Sequence, residues 1–165
     1  MSPTSHHVDV DPYEAVISLA RGNPSIKAVC DVFDTVTGAY LRTQVDMRHG
    51  YGQDSGDWEM DSQALTFTPM GGVPDLYVRV HAIAVEARCY GDTTNEAWAV
   101  YKALSEMCRV NEQRVIPITA GNALVYWVKP ATGPRLMVVD EIRPSGGMPC
   151  WVVQLKAEVS EELVT

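Results

Sequence analysis

The chain has 165 residues, which is one domain's worth and too few for a barrel of alternating strands and helices, which takes about 250. Apolar residues make up 46% and charged residues 21%, enough to build a core and to exclude disorder throughout. With 21 acids against 13 bases the net charge is −8, the opposite of the basic footprint a duplex nucleic-acid reader needs.

Residues 1–10 read as a loose arm, and 11–165 as one α+β domain. The arm shows no basic stretch followed by an apolar one, so no signal peptide is expected. No run approaches the roughly 18 apolar residues of a membrane helix. The expected setting is therefore a reducing cytoplasm. Cys30, Cys89, Cys108 and Cys150 are far apart in sequence. They lack the close pairs of zinc ribbons and redox motifs and read as small buried hydrophobes.

The first element opens at Asp11-Pro12-Tyr13-Glu14. Asp11 is placed to cap, Pro12 suits the first helical position, and Glu14 can reach back to the cap. Tyr13, Val16, Ile17 and Ala20 make one apolar stripe, and Gly22 ends it. The spacing predicts a helix over 12–21. Residues 25–30 keep helical spacing, while 31–36 are rich in β-branched and aromatic residues. A short helix, then a strand, is expected there, with a further strand over 39–47.

Residues 48–63 hold glycines, acids and no apolar period, which predicts a long loop. Such loops are often functional. Trp58 among Asp54, Asp57 and Asp61 has two readings: an anchor folded back on its own domain, or one that docks into a partner. A short strand over 64–68 is expected to stop at the turn Pro69–Pro74. Next comes a long strand over 77–90 with apolar residues on both faces in its middle, as in a covered central strand. At roughly 3.3 Å per residue it outruns a body of this size, so it must bend, bulge or offer an edge to a neighbour. Glu86 and Arg88 share one of its faces. They are placed either to pair with each other or to set register with a neighbouring copy.

Thr93 and Glu96 form a capping box for a helix over 94–108 with stripe residues Ala97, Val100, Tyr101, Leu104 and Cys108. The remainder reads as strands: an edge strand at 115–118 demoted by Pro117, a hairpin of 124–129 and 135–142 around Pro130-Ala131-Thr132-Gly133-Pro134, and a last strand alternating cleanly from Trp151 to Val159. The predicted architecture is α+β: a mostly antiparallel sheet with a long central strand and a helix packed across it.

Chemistry-bearing motifs are missing. There is no nucleophile elbow, phosphate loop, dinucleotide fingerprint or HExxH. Gly71-Gly72 and Gly146-Gly147 read as turns. His6 and His7 lie on the arm, and His81 reads as a core or interface histidine. Asp31 and Asp34, three apart on a strand, point to opposite faces. No catalytic residue, cofactor or metal is expected.

The order of elements carries a resemblance. A long strand ends in Val85-Glu86-Ala87-Arg88-Cys89-Tyr90-Gly91, Thr93-Thr94-Asn95-Glu96-Ala97 follows, and then a helix bearing Val100-Tyr101-Lys102-Ala103-Leu104 leads into a strand meander. Over about 64–160 this resembles the tail terminator, or tail completion, proteins of long-tailed bacteriophages; 37–63 is longer than that pattern. The resemblance implies a non-enzymatic virion subunit, assembled in the host cytoplasm, that forms a homo-oligomeric ring, typically a hexamer. The ring ends the tail tube and meets the head connector, with DNA passing through its lumen. Asp54, Asp57, Trp58, Asp61, Glu86 and Arg88 are the interface candidates under that reading. A head–tail connector or tube component, a small-molecule-binding α+β module, and an enzyme with a dispersed site are the rivals.

Overall fold

The computed structural model describes residues 10–37, 39–43, 45–47, 63–75, 80–110, 112–139 and 147–161. Helix α1 spans Pro12–Gly22 and starts as its sequence dictates: the Asp11 side chain accepts from the Tyr13 and Glu14 amides. Helix α2 (Pro24–Cys30) follows after one residue, Asn23, whose side chain caps it. Val10, expected in the loose arm, is 4% exposed and belongs to the core.

Strands β1 (Asp31–Asp34) and β2 (Ala39–Thr43) form their own two-stranded antiparallel sheet. Residues 35–37 form a turn, so the first strand is shorter than expected. The strand expected over 39–47 is divided. β2 pairs with β1, while β3 (Val45–Met47) joins the main sheet parallel to β4. One straight strand cannot serve two sheets, so the break is where the chain changes partner.

The main sheet has six strands in the order β3-β4-β5-β8-β7-β6. Here β4 is Ala64–Asp75, β5 Val80–Tyr90, β6 Arg114–Ile118, β7 Gly121–Val139 and β8 Met148–Glu161. All pairings except β3–β4 are antiparallel. The fold is α+β, as the sequence predicts, and β5 is a central strand.

Helix α3 (Thr94–Arg109) and α1 pack on one face of this sheet. The capping box is formed: Thr93 Oγ1 accepts from the Glu96 amide at 3.2 Å, and a Glu96 carboxylate oxygen accepts from the Thr93 amide at 3.1 Å. Gly91 feeds the helix, because a Cβ there would overlap the Ala97 amide nitrogen. Val16, Ala20, Val100, Leu104 and Met107 meet Phe67, Val85, Cys89, Val153, Leu155 and Val159 in the core. A second, smaller cluster lies on the other side: Ala64, Tyr90, Met148, Cys150 and Val152. Both clusters draw on β8, so its first half is buried on both faces. Only from Gln154 on does the polar face open, with Lys156 exposed.

Two expected turns are strand instead. β4 does not end at Pro69. It runs to Asp75 through a register shift between Pro69 and Gly72, where Gly71 takes φ +93°. That left-handed value is why glycine sits there and why the segment looked like a turn. The expected hairpin at 130–134 is likewise absent. Residues on both sides of it pair with β8, in one strand of 19 residues with register shifts at 125/127, 130/132 and 132/135. Its prolines and Gly133 (φ +111°) mark bulges along one strand rather than the reversal of two.

Candidate assembly interface

Among the described residues β5 does not supply a free edge, one of the three outcomes its predicted length left open. From Val80 to Tyr90 it pairs with β8 on one side and β4 on the other, with only the β4 bulge interrupting. The strand that outruns its neighbours is β7. At about 3.3 Å per residue, its 19 residues would span on the order of 60 Å if straight, and its three bulges bend it. β6 pairs only with Gly121–Val125 of it. From Trp127 to Val139, β7 has β8 on one side and no described residue paired on the other.

The side chains along that free stretch are unusual for this protein. Gly121–Val139 contains two bases, Lys129 and Arg135, and no acid, within a chain of net charge −8. Leu136 is 46% exposed and Val138 62%. Leu136 lies opposite Trp151 in the β7–β8 ladder. Trp151 meets Trp98 of α3 edge-on at 4.8 Å, and Trp98 meets Tyr101 at 4.8 Å. Together they form an apolar strip running from the first half of α3 onto the β7 edge, where large exposed apolar groups mark contact surfaces.

The sheet face turned away from the helices carries a line of polar contacts. Arg88 Nε donates to Glu86 Oε1 at 2.7 Å, with the side chains only 13% and 15% exposed. Tyr90 beside them is buried, which pushes its phenol upward in pKa; hydrogen bonds with Arg88 and Thr66 oppose that shift. Farther along, Trp127 Nε1 donates to Glu158 at 2.9 Å, and Lys129 Nζ stands 5.4 Å from the centre of the same indole.

The interface candidates therefore separate. Glu86 and Arg88 are brought together, on β5, and pair with each other. Ala82 on the same strand is exposed, whereas the side chains of this ion pair are largely enclosed. The two-sided burial expected of the middle of β5 is therefore incomplete: Ala82 is exposed and Ala84 only partly buried, while the face is covered again from Glu86 to Tyr90. Asp54, Asp57, Trp58 and Asp61 lie outside the described residues. Of the loop expected over 48–63, only Gln63 is described, and its side-chain amide donates to the Glu96 carbonyl at 3.2 Å.

The remaining candidates for chemistry are quiet. The four cysteines are free and buried. Burial pushes the Cys30 and Cys150 thiols up to about 12 and that of Cys108 to about 11, and Cys89 is raised as well. No group of three or more histidine, cysteine or acidic side chains could hold a metal among the described residues. A cavity between α1, α3 and β7, lined by Leu19, Met107, Val125 and Trp127 among others, has a volume of about 10 Å³, room for about one water. Among the described residues no helix is long and apolar enough to cross a membrane. No protein-family model matches the chain, and no curated protein matches it.

The free edge of β7 is the feature sequence reading missed. No local signal marked it, because the pairing of β7 with β8 on both sides of 130–134 is long-range.

Proposed function

We propose that this chain is a structural subunit that assembles into a ring at the end of a bacteriophage tail tube, a tail terminator. The observation that carries the proposal is the base-bearing, partly apolar edge of β7 beyond Val125, which no described residue pairs. A sheet left open in this way offers a repeated copy a main-chain docking site. The α+β fold is the one the resemblance implies.

In this reading the subunit works by contact alone. Copies grip one another, and head-to-tail contacts close a ring when their rotation returns to the start; six copies are proposed. One ring face stops the tail-tube protein and the other meets the head connector, so the protein resides in the virion at the neck. Asp54, Asp57, Trp58 and Asp61 are the proposed reach toward the next ring. The net charge of −8 keeps passing DNA from sticking, because unpaired acids repel phosphates.

Electron microscopy of the purified protein, alone and mixed with tail tubes that lack their terminator, tests the proposal. Rings seated on tube ends support it. Bare tube ends beside unassembled protein overturn it.

A further inference from the structure

The sheet's free edges differ in how well they can accept a strand. The outer edge of β6 contains Pro117, and Val115 beside it is 50% exposed. β4 beyond Phe67 contains Pro69, Pro74 and the glycine bulge. Prolines and bulges are how edges are blunted. On β7 the prolines are Pro130 and Pro134, and the register shifts lie at 125/127, 130/132 and 132/135. The segment Arg135–Val139 has neither, and it holds an unbroken register with Met148–Val152 of β8. An unblunted edge bearing exposed Leu136 and Val138 is what monomeric proteins avoid.

At the opposite end of the sheet the outermost described strand is β3, Val45–Met47, which among the described residues pairs with β4 alone, while Arg21 Nε of α1 donates to its Val45 carbonyl at 3.0 Å. It has one acid, Asp46, and no base, against two bases and no acid on β7. We infer that a second copy of this chain adds its β3 edge to the Arg135–Val139 edge of β7, so that neighbouring sheets continue head to tail. Strand direction agrees. Reading from β3 to β7, the pairings are one parallel and three antiparallel, so β3 and β7 run in opposite directions. Copies placed side by side with the same face forward then meet as an antiparallel pair. The contact joins two different surfaces, which is the type that generates rings. Its biological role rests on the terminator reading; the contact itself does not.

Sedimentation of the full-length chain over a wide concentration range is the test, with Arg135→Asp, Asp46→Arg, the double exchange, and Val138→Lys at the exposed edge. Circular dichroism of each variant reports folding. The wild type should assemble beyond a dimer. Each charge reversal and Val138→Lys should shift assembly to concentrations about tenfold higher or more, and the double exchange should recover most of the loss. A wild-type chain that stays monomeric overturns the inference. So do single variants that assemble normally, or a dimer that responds to Arg135 but not to Asp46, which would mean two β7 edges paired about a two-fold axis. Rings that form without this edge would overturn the contact and leave the terminator reading standing. Edge-dependent rings that ignore tube ends would do the reverse.

Discussion

Arg88 and Glu86 sit two residues apart on one face of β5 and close a 2.7 Å ion pair, with each side chain about seven-eighths enclosed. Removing Glu86 takes the carboxylate from a guanidinium in a poorly hydrated place. Glu86→Ala alone should therefore cost about 1–3 kcal/mol, below the range for a fully buried pair because some water remains. Replacing both, by Leu at 86 and Met at 88, should return stability to within about 1 kcal/mol of wild type. Urea unfolding of the two singles and the double reads this directly. Singles that match the wild type would mean that the pair is held by something other than its own partner.

Glu14 at the start of α1 accepts from both the backbone amide and the hydroxyl of Thr119, each at 2.6 Å. These two bonds hold its carboxyl below the ordinary value of 4.5, opposing a small burial effect. A folded pKa below the unfolded one means stability that is present above the unfolded value and lost as pH falls through the folded one. Wild type should thus lose more thermal stability than Glu14→Gln on going from neutral pH to well below about 4.5. Melting curves across that range would show the two converging toward acid. Parallel curves would remove Glu14 from the acid response.

The thiols make a kinetic prediction. Cys30, Cys108 and Cys150 are buried with pKa values pushed to about 11–12, and thiolate is the reactive form. At pH 8 a disulfide reagent should modify the folded protein very slowly and release four equivalents once denaturant is added. Fast reaction of one native cysteine would show an opening that this packing does not contain.

Helix α3 depends on its entry and on its core face. Thr93→Ala removes one side of the capping box and should cost about 0.5–2 kcal/mol. Leu104 is 1% exposed between α3 and the sheet; Leu104→Ala should cost about 2–5 kcal/mol through the cavity it leaves. Denaturant midpoints measure both. Equal small effects would mean that α3 is less firmly seated than its burial indicates.

The legible parts of the fold were those that local chemistry decides. Asp11 and Pro12 mark the start of α1, and Thr93 with Glu96 that of α3, because caps act within a single turn; Glu14, expected to reach back to its cap, bonds Thr119 instead. The edge position of β6 was legible from Pro117. What misled was the double meaning of proline and glycine. Pro69–Pro74 and Pro130–Pro134 look like reversals, but in β4 and β7 they are bulges inside strands, and only pairing with β5 and β8 decides between the two. That pairing is long-range, so no local window contains it. The same error hid the candidate interface: with a hairpin at 130–134 the free edge does not exist. The Glu86–Arg88 pair was legible because residues two apart on a strand share a face.

Growth of the tail tube is the process a terminator must stop. When the tail-tube protein polymerises in the presence of this chain, tubes should stay short and of limited length, each closed by a ring. Tubes that grow to the same lengths with and without the chain would contradict the terminator reading.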